Sequence, residues 1–183
     1  MIRNYLAAAA LTTLLVAQSH AALIFNTGAS WRFFKGRTEA STPDTTAWRG
    51  LNFNDSAFTN APAPFWYDAN GDSSTLAGGT QLTDMQNQYT TLFLRRSFVL
   101  TNISDISSLK LSAFCDDGFI VWINGAEVQR YNVPAGVLAF NASASAAVTE
   151  PVSLTDYTLL NPSSYLTLGT NVIAVQIFNA GTA

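Results

Sequence analysis

Beyond residue 21, apolar positions either alternate with polar ones over short stretches or form brief β-branched and aromatic runs. Each run ends at a cluster of Gly, Pro, Asn, Asp or Ser. No segment there repeats apolar residues at the i, i+3, i+4, i+7 spacing of an amphipathic helix. The pattern predicts an all-β chain with strands at Ala22–Phe25, Trp31–Phe34, Thr91–Leu100, Leu109–Phe114, Phe119–Ile123, Ala126–Tyr131, Val152–Leu159 and Val172–Phe178. Between Thr38 and Gln88 the punctuation is dense, with Pro43, Pro62, Pro64 and Gly78-Gly79, so this stretch reads as a long loop region. Such regions usually carry function when they are ordered.

Two strand signals are sharper than the rest. Asn124-Gly125, flanked by apolar runs, is the preferred pair for a type I′ turn, because both central residues need positive φ. The hairpin it predicts sets Ile123 against Ala126, Trp122 against Glu127 and Val121 against Val128. Phe119, Val121, Ile123, Ala126 and Val128 then share a core face. The other face carries Ile120, Trp122, Glu127 and Gln129, either covered by a neighbouring loop or presented as an aromatic platform beside a carboxylate. The second signal is Asn171–Phe178, apolar at almost every position, which implies burial on both faces. It requires either an earlier strand on each side or further chain, since a bare edge this apolar invites aggregation.

The first 21 residues follow a different rule. One basic residue (Arg3), an apolar run over Leu6–Ala17 and small residues around Ala21 have the form of a secretory signal peptide cleaved after Ala21. The run is shorter than the ~20 residues of a membrane span. The expected organisation is therefore a signal peptide at 1–21 and one β-sandwich domain at 22–183, exported to the medium or cell surface with no membrane span after cleavage. Cleavage removes His20, the only histidine, and with it Ser-His-Asp and Cys-His mechanisms and His-containing zinc sites. The single cysteine, Cys115, cannot form an internal disulfide, and its apolar setting marks it as a buried structural thiol. Only 11% of the 183 residues are charged and the net charge is −3, so no basic field exists to hold nucleic acid.

Four segments together resemble a known fold family: Trp31; Thr91–Phe98 (Thr-Leu-Phe-Leu-Arg-Arg-Ser-Phe); Asp116-Asp-Gly followed by Val121-Trp-Ile-Asn-Gly-Ala-Glu-Val; and Leu168-Gly-Thr-Asn-Val-Ile-Ala-Val-Gln-Ile. The chain is similar to galactose-binding-like jelly-roll sandwiches over roughly Trp31 to Asn179. The closest variant occurs in large exported bacterial proteins that also carry lamin-tail and spore-coat-kinase-like domains. The resemblance implies a non-catalytic binding or spacer module, with ligands met by loops at one end. It also implies further domains beyond Asn179, so that the chain is a fragment of a multidomain protein. It specifies the fold more than the ligand.

Three constellations bear on chemistry. Asp68, Asn70 and Asp72 place oxygen side chains at alternate positions, the spacing by which a loop wraps Ca²⁺, although Ser73 and Gly79 exclude an EF-hand and the same residues serve ordinary Asx turns. The family resemblance favours a structural calcium; no cofactor is required. Trp66 and Tyr67 adjoin that loop, and with Trp48 and Trp122 they form the candidate aromatic surface for a polysaccharide or cell-surface glycan, because a pyranose has an apolar face and a polar edge. The alternative is that these rings pack the loop onto the sandwich. Asp116-Asp117 invites a glycosidase reading, but adjacent strand residues point to opposite faces, and Asp-Asp-Gly is turn chemistry. Of Arg95 and Arg96, one is expected to pair with a carboxylate and the other to face solvent. The sequence thus points to a non-enzymatic, carbohydrate- or surface-binding module, with a ligand-free spacer or a glycoside-hydrolase accessory domain as alternatives.

Overall fold

A computed structural model describes residues 22–67, 79–149 and 151–181. The expected signal peptide at 1–21 and the calcium ligands Asp68, Asn70 and Asp72 lie outside the described residues. Ten strands appear: β1 Ser30–Lys35, β2 Thr59–Pro62, β3 Phe65–Trp66, β4 Thr80–Gln81, β5 Thr91–Leu100, β6 Ser108–Ala113, β7 Gly118–Ile123, β8 Ala126–Tyr131, β9 Thr155–Leu160 and β10 Gly169–Phe178. Short 3-10 turns occupy Ala47–Arg49 and Pro162–Ser164. Among the described residues no helix is long and apolar enough to cross a membrane. The chain is an all-β sandwich of the jelly-roll kind.

Its main layer is a six-stranded antiparallel sheet in the order β2-β1-β5-β10-β7-β8. The apolar continuity of β10 is explained by its place between β5 and β7, with both faces covered. One face, carrying Trp31, Phe33, Leu92, Leu94, Phe98, Phe119, Val121, Ile123 and Ile173, packs against the antiparallel pair β6–β9 and the parallel pair β3–β4. The opposite face presents Phe93, Ile120, Trp122, Ala174 and Phe178. Among the described residues no sheet covers it; residues from the 36–58 and 133–144 segments do, with Trp48 and Phe58 inserted into it. Ile120 and Trp122 are therefore covered, not a platform.

The Asn-Gly turn forms as expected, with φ of 51° at Asn124 and 89° at Gly125. Asn124 also does something its turn chemistry alone does not foretell. Its Nδ2 donates to Asn171 Oδ1 (2.7 Å) and to the Tyr165 carbonyl (2.9 Å), while its Oδ1 accepts from Val172 N (2.9 Å). Asn171, fully buried, in turn donates to the Thr167 and Gly169 carbonyls. The two most recognisable motifs are thus one hydrogen-bonded unit fastening the hairpin to the start of β10.

The hairpin register departs from expectation beyond its first two pairs. Ile123 meets Ala126 and Trp122 meets Glu127, but Val121 meets Gln129, so a bulge leaves Val128 as the extra residue. Ala126 is exposed and Val128 only half-buried. The shift sets Phe119 against Tyr131 and so puts Tyr131, itself still exposed, on the Phe119 side of the sheet, which an unbulged pairing would not do. Three other expectations are corrected. Ala22–Phe25 is not a strand; Phe25 instead packs edge-on against Trp31 at 5.4 Å. The ninth strand begins at Thr155, not Val152. The 38–88 stretch contains β2 and β3, hidden by Pro62 and Pro64, and β4, hidden by its two-residue length.

Candidate functional site

The ladders end together at Lys35, Thr91, Gly118, Tyr131 and Phe178, and the loops leaving this end enclose two hollows. The wall beside both is the 139–149 segment, which has no regular structure of its own and must be tied down by others. Thr90 Oγ1 donates to the Ala142 carbonyl (2.7 Å), Thr91 Oγ1 donates to the Phe140 carbonyl, and Glu39 accepts from Phe140 N (3.2 Å). Asp117 is the principal brace. Its carboxylate, 8% exposed, accepts from Val148 N (2.7 Å) and from Ala180 N (2.6 Å), and its carbonyl accepts from Asn132 Nδ2. Asp117 thus acts as turn and loop chemistry, in line with the sequence reading of Asp-Asp-Gly.

The larger hollow, about 330 Å³, is lined by Gly36, Arg37, Gln88, Tyr89, Thr90, Phe140 and Asn141. Gly36 is obligatory at its floor, because a Cβ there would come within 2.6 Å of the Thr91 carbonyl oxygen. Asp84 organises the rim. It accepts from Lys35 Nζ (2.8 Å), Arg37 Nη2 (2.8 Å) and the Tyr89 hydroxyl (3.1 Å), and the Arg37 guanidinium lies 5.5 Å from the centre of the Tyr89 ring. Burial pushes the Tyr89 phenol above its usual range, with Asp84 adding to the effect, so it stays a neutral donor. The side-chain amides of Gln88 and Asn141 make no hydrogen bond among the described residues. A guanidinium held by Asp84 and two uncommitted amides therefore border one cavity, with Asp84 set between the charges of Lys35 and Arg37.

The hydrogen bond from Lys35 holds Asp84 below the ordinary carboxylate range. Its contribution to stability is present above the ordinary carboxylate pKa and disappears as pH falls through the depressed value. Asp84→Asn is accordingly expected to melt below wild type at neutral pH and to converge with it in strong acid. Melting curves taken across that range would refute this if the gap stayed constant.

The smaller hollow, about 190 Å³, is lined by Tyr131, Tyr157, Cys115 and residues of the 148–155 segment. Tyr131 and Tyr157 lie 6.3 Å apart and both contact Phe119. Cys115 is half-buried, not fully buried as its apolar neighbours suggest, because it sits where β6 ends beside this opening. Its thiol is pushed up to about 12, by burial first and then by Asp116 and Asp117, and so remains protonated and unreactive.

The structure separates the four expected aromatic ligand residues. Trp48 is fully buried and Trp122 is 3% exposed; the two stack edge-to-face at 5.4 Å on the covered face of the sheet. Neither offers a ring face to a sugar, since the loop carrying Trp48 folds inward onto Phe93 and Trp122. Trp66 and Tyr67 are half-buried beside β4, Tyr67 resting on the main core. Of the arginines, Arg95 pairs with Asp55 as one of the two was expected to, whereas Arg96 bonds the Ser30 carbonyl and lies over Phe25. Arg37, Gln88, Asn141 and Tyr131 were not legible as site residues: singly they are ordinary loop or strand positions, and only the folded end brings them to a cavity.

Fold and site together define an all-β sandwich with two hollows at one end. The fold is similar to that of Bacteroides uniformis β-glucuronidase, at 21% identity and a TM-score of 0.50 over 84% of this chain and 14% of that one. It is likewise similar to a β-glucuronidase from glycoside hydrolase family 2, at 16% identity and a TM-score of 0.50 over 84% of this chain and 14% of that one. The chain thus spans about a seventh of the length of these solved proteins. No protein-family model and no curated protein matches the sequence.

Proposed function

We propose that the chain is a non-catalytic sandwich module of a larger exported protein, binding a neutral polysaccharide or cell-surface glycan at the end that carries the two hollows. The observation that carries this reading is the cavity bordered by Arg37, Gln88 and Asn141. The Gln88 and Asn141 amides, which the fold leaves uncommitted, supply both donors and acceptors for sugar hydroxyls, while the Arg37 guanidinium beside them is held by Asp84, whose carboxylate offsets the positive charge of the rim, which suits an uncharged ligand. Tyr131 and Tyr157 in the adjoining hollow offer aromatic surface for a neighbouring ring. Attachment to a carbohydrate-active enzyme as its accessory domain is supported by the size of the sandwich relative to family 2 hydrolases. The bacterial multidomain setting with lamin-tail-like domains, and a structural Ca²⁺ at Asp68, Asn70 and Asp72, belong to the same proposal.

A polysaccharide array tests it. Wild type is expected to retain at least one neutral polysaccharide, and the double variant Gln88→Ala/Asn141→Ala to lose about tenfold or more in affinity, the equivalent of roughly one well-made hydrogen bond. Trp66→Ala separates the sites: if it abolishes binding while the double variant binds normally, the glycan is met at β3 and not at the hollow. A wild-type chain that retains no polysaccharide replaces the reading with that of a spacer.

A further inference from the structure

Arg49 is a buried guanidinium that no acceptor in the described residues satisfies. It ends the 3-10 turn Ala47–Arg49 and is 8% exposed. Its guanidinium lies 4.2 Å from the centre of the Trp122 ring and 5.7 Å from that of Trp48, and its Nε is fully buried without a partner. Its terminal nitrogens, the part of the side chain left to reach solvent, donate no hydrogen bond among the described residues. Burying a charged donor without acceptors is costly, and chains normally supply one.

The carboxylates whose field reaches Arg49 are Glu127, Asp44 and Glu39, opposed by the cation of Arg130. Each of the three is engaged elsewhere. Glu127 takes a two-pronged bond from Arg130 (2.8 Å each), Asp44 accepts from the Thr46 backbone and hydroxyl, and Glu39 accepts from Phe140 N. They steady the cation at a distance and leave its fork of donors open.

We propose that Arg49 is a receptor for a single carboxylate from outside the chain, held in a fixed plane by the Trp122 indole. A carboxylate offers two acceptors in the geometry of the guanidinium fork. The indole fixes the side chain in advance, so little rotamer freedom is lost on binding. The three nearby carboxylates, offset in part by Arg130, repel a dianion such as phosphate more strongly than a singly charged carboxylate and so favour the latter. The site lies on the covered face of the sheet near β8 and is independent of the glycan reading.

The test follows thermal unfolding of the chain in sodium acetate against sodium chloride at matched ionic strength. Wild type is expected to show a saturable rise of a few degrees with acetate and none with inorganic phosphate beyond the chloride reference. Arg49→Met should lack the increment, and Arg49→Lys, which keeps the charge but not the fork, should retain less than half of it. Glucuronate and N-acetyl-glutamate amide then distinguish a sugar acid from a protein side chain as the source of the carboxylate. Equal increments in wild type and Arg49→Met, or no saturable increment in wild type, would overturn the proposal. Should Arg49→Met fail to fold, the Arg49 Nε–H resonance of wild type must shift on titration with acetate; an unmoved resonance is equally fatal.

Discussion

Trp48→Ala is expected to destabilise the chain by about 3–5 kcal/mol, the cost of emptying a large aromatic site in a close-packed core. Trp48 is the largest fully buried side chain among the described residues, set edge-to-face against Phe93 at 4.9 Å and against Trp122 at 5.4 Å. It is also the central element by which an irregular loop covers Ile120, Ala174 and Phe178, so its loss opens an entire face of the main sheet. Its indole N–H has no partner among the described residues, so no hydrogen bond seen there is lost with the ring. Trp48→Phe, which keeps most of the volume and removes that orphaned donor, should therefore cost far less, of the order of 1–2 kcal/mol. Guanidinium unfolding of the three proteins decides. If Trp48→Ala shifted stability by no more than about 0.5 kcal/mol, as surface substitutions do, the ring would have to be a surface ring and the core assignment would fail.

The misplacement of Trp48 shows where local sequence reasoning stops. An aromatic among Pro, Gly and Asp residues looks the same whether its ring points to solvent or beneath the loop, and what decides is the uncovered area of a sheet elsewhere in the chain. The strands and the hairpin were legible because their signals are local: Asn124-Gly125 satisfies a turn by its own backbone preferences, and Val172–Phe178 declares double burial by carrying a single polar residue, Gln176, in place of an alternating polar pattern. The bulge at Val128 was not, since it changes no residue type and shows only in which partners meet. β2 and β3 were masked by Pro62 and Pro64, which tolerate edges and short pairings but read as loop, and β4 by its two-residue length after Gly78-Gly79. The hollows were beyond reach for the same reason as the bulge: Arg37, Gln88 and Asn141 are separated by about fifty residues each and meet only after the ladders are in register.

Arg95→Met should cost about 3–5 kcal/mol, although methionine can fill much of the space. Arg95 is 2% exposed, and its guanidinium satisfies four acceptors at once. It pairs with Asp55 (3.0 Å) and donates to the carbonyls of Trp48, Gly50 (3.1 Å) and Phe53 (3.5 Å), while lying 5.1 Å from the centre of the Phe53 ring. Those acceptors all belong to the loop that seats Trp48. Removing the donor leaves carbonyls without partners beneath a cover that has no strand hydrogen bonds of its own, whereas Asp55, 28% exposed, recovers part of its loss from water. Asp55→Asn should accordingly be the milder change, within roughly 1–2 kcal/mol. Because Arg95 and Trp48 hold the same segment from two sides, their effects should not add. Once Trp48→Ala has loosened the loop, Arg95→Met has less left to break, and the double variant should fall short of the sum by at least about 1 kcal/mol. Strict additivity in that double-mutant cycle would mean that Arg95 anchors the loop independently of the indole, and the picture of a single stapled cover over the sheet would have to be given up.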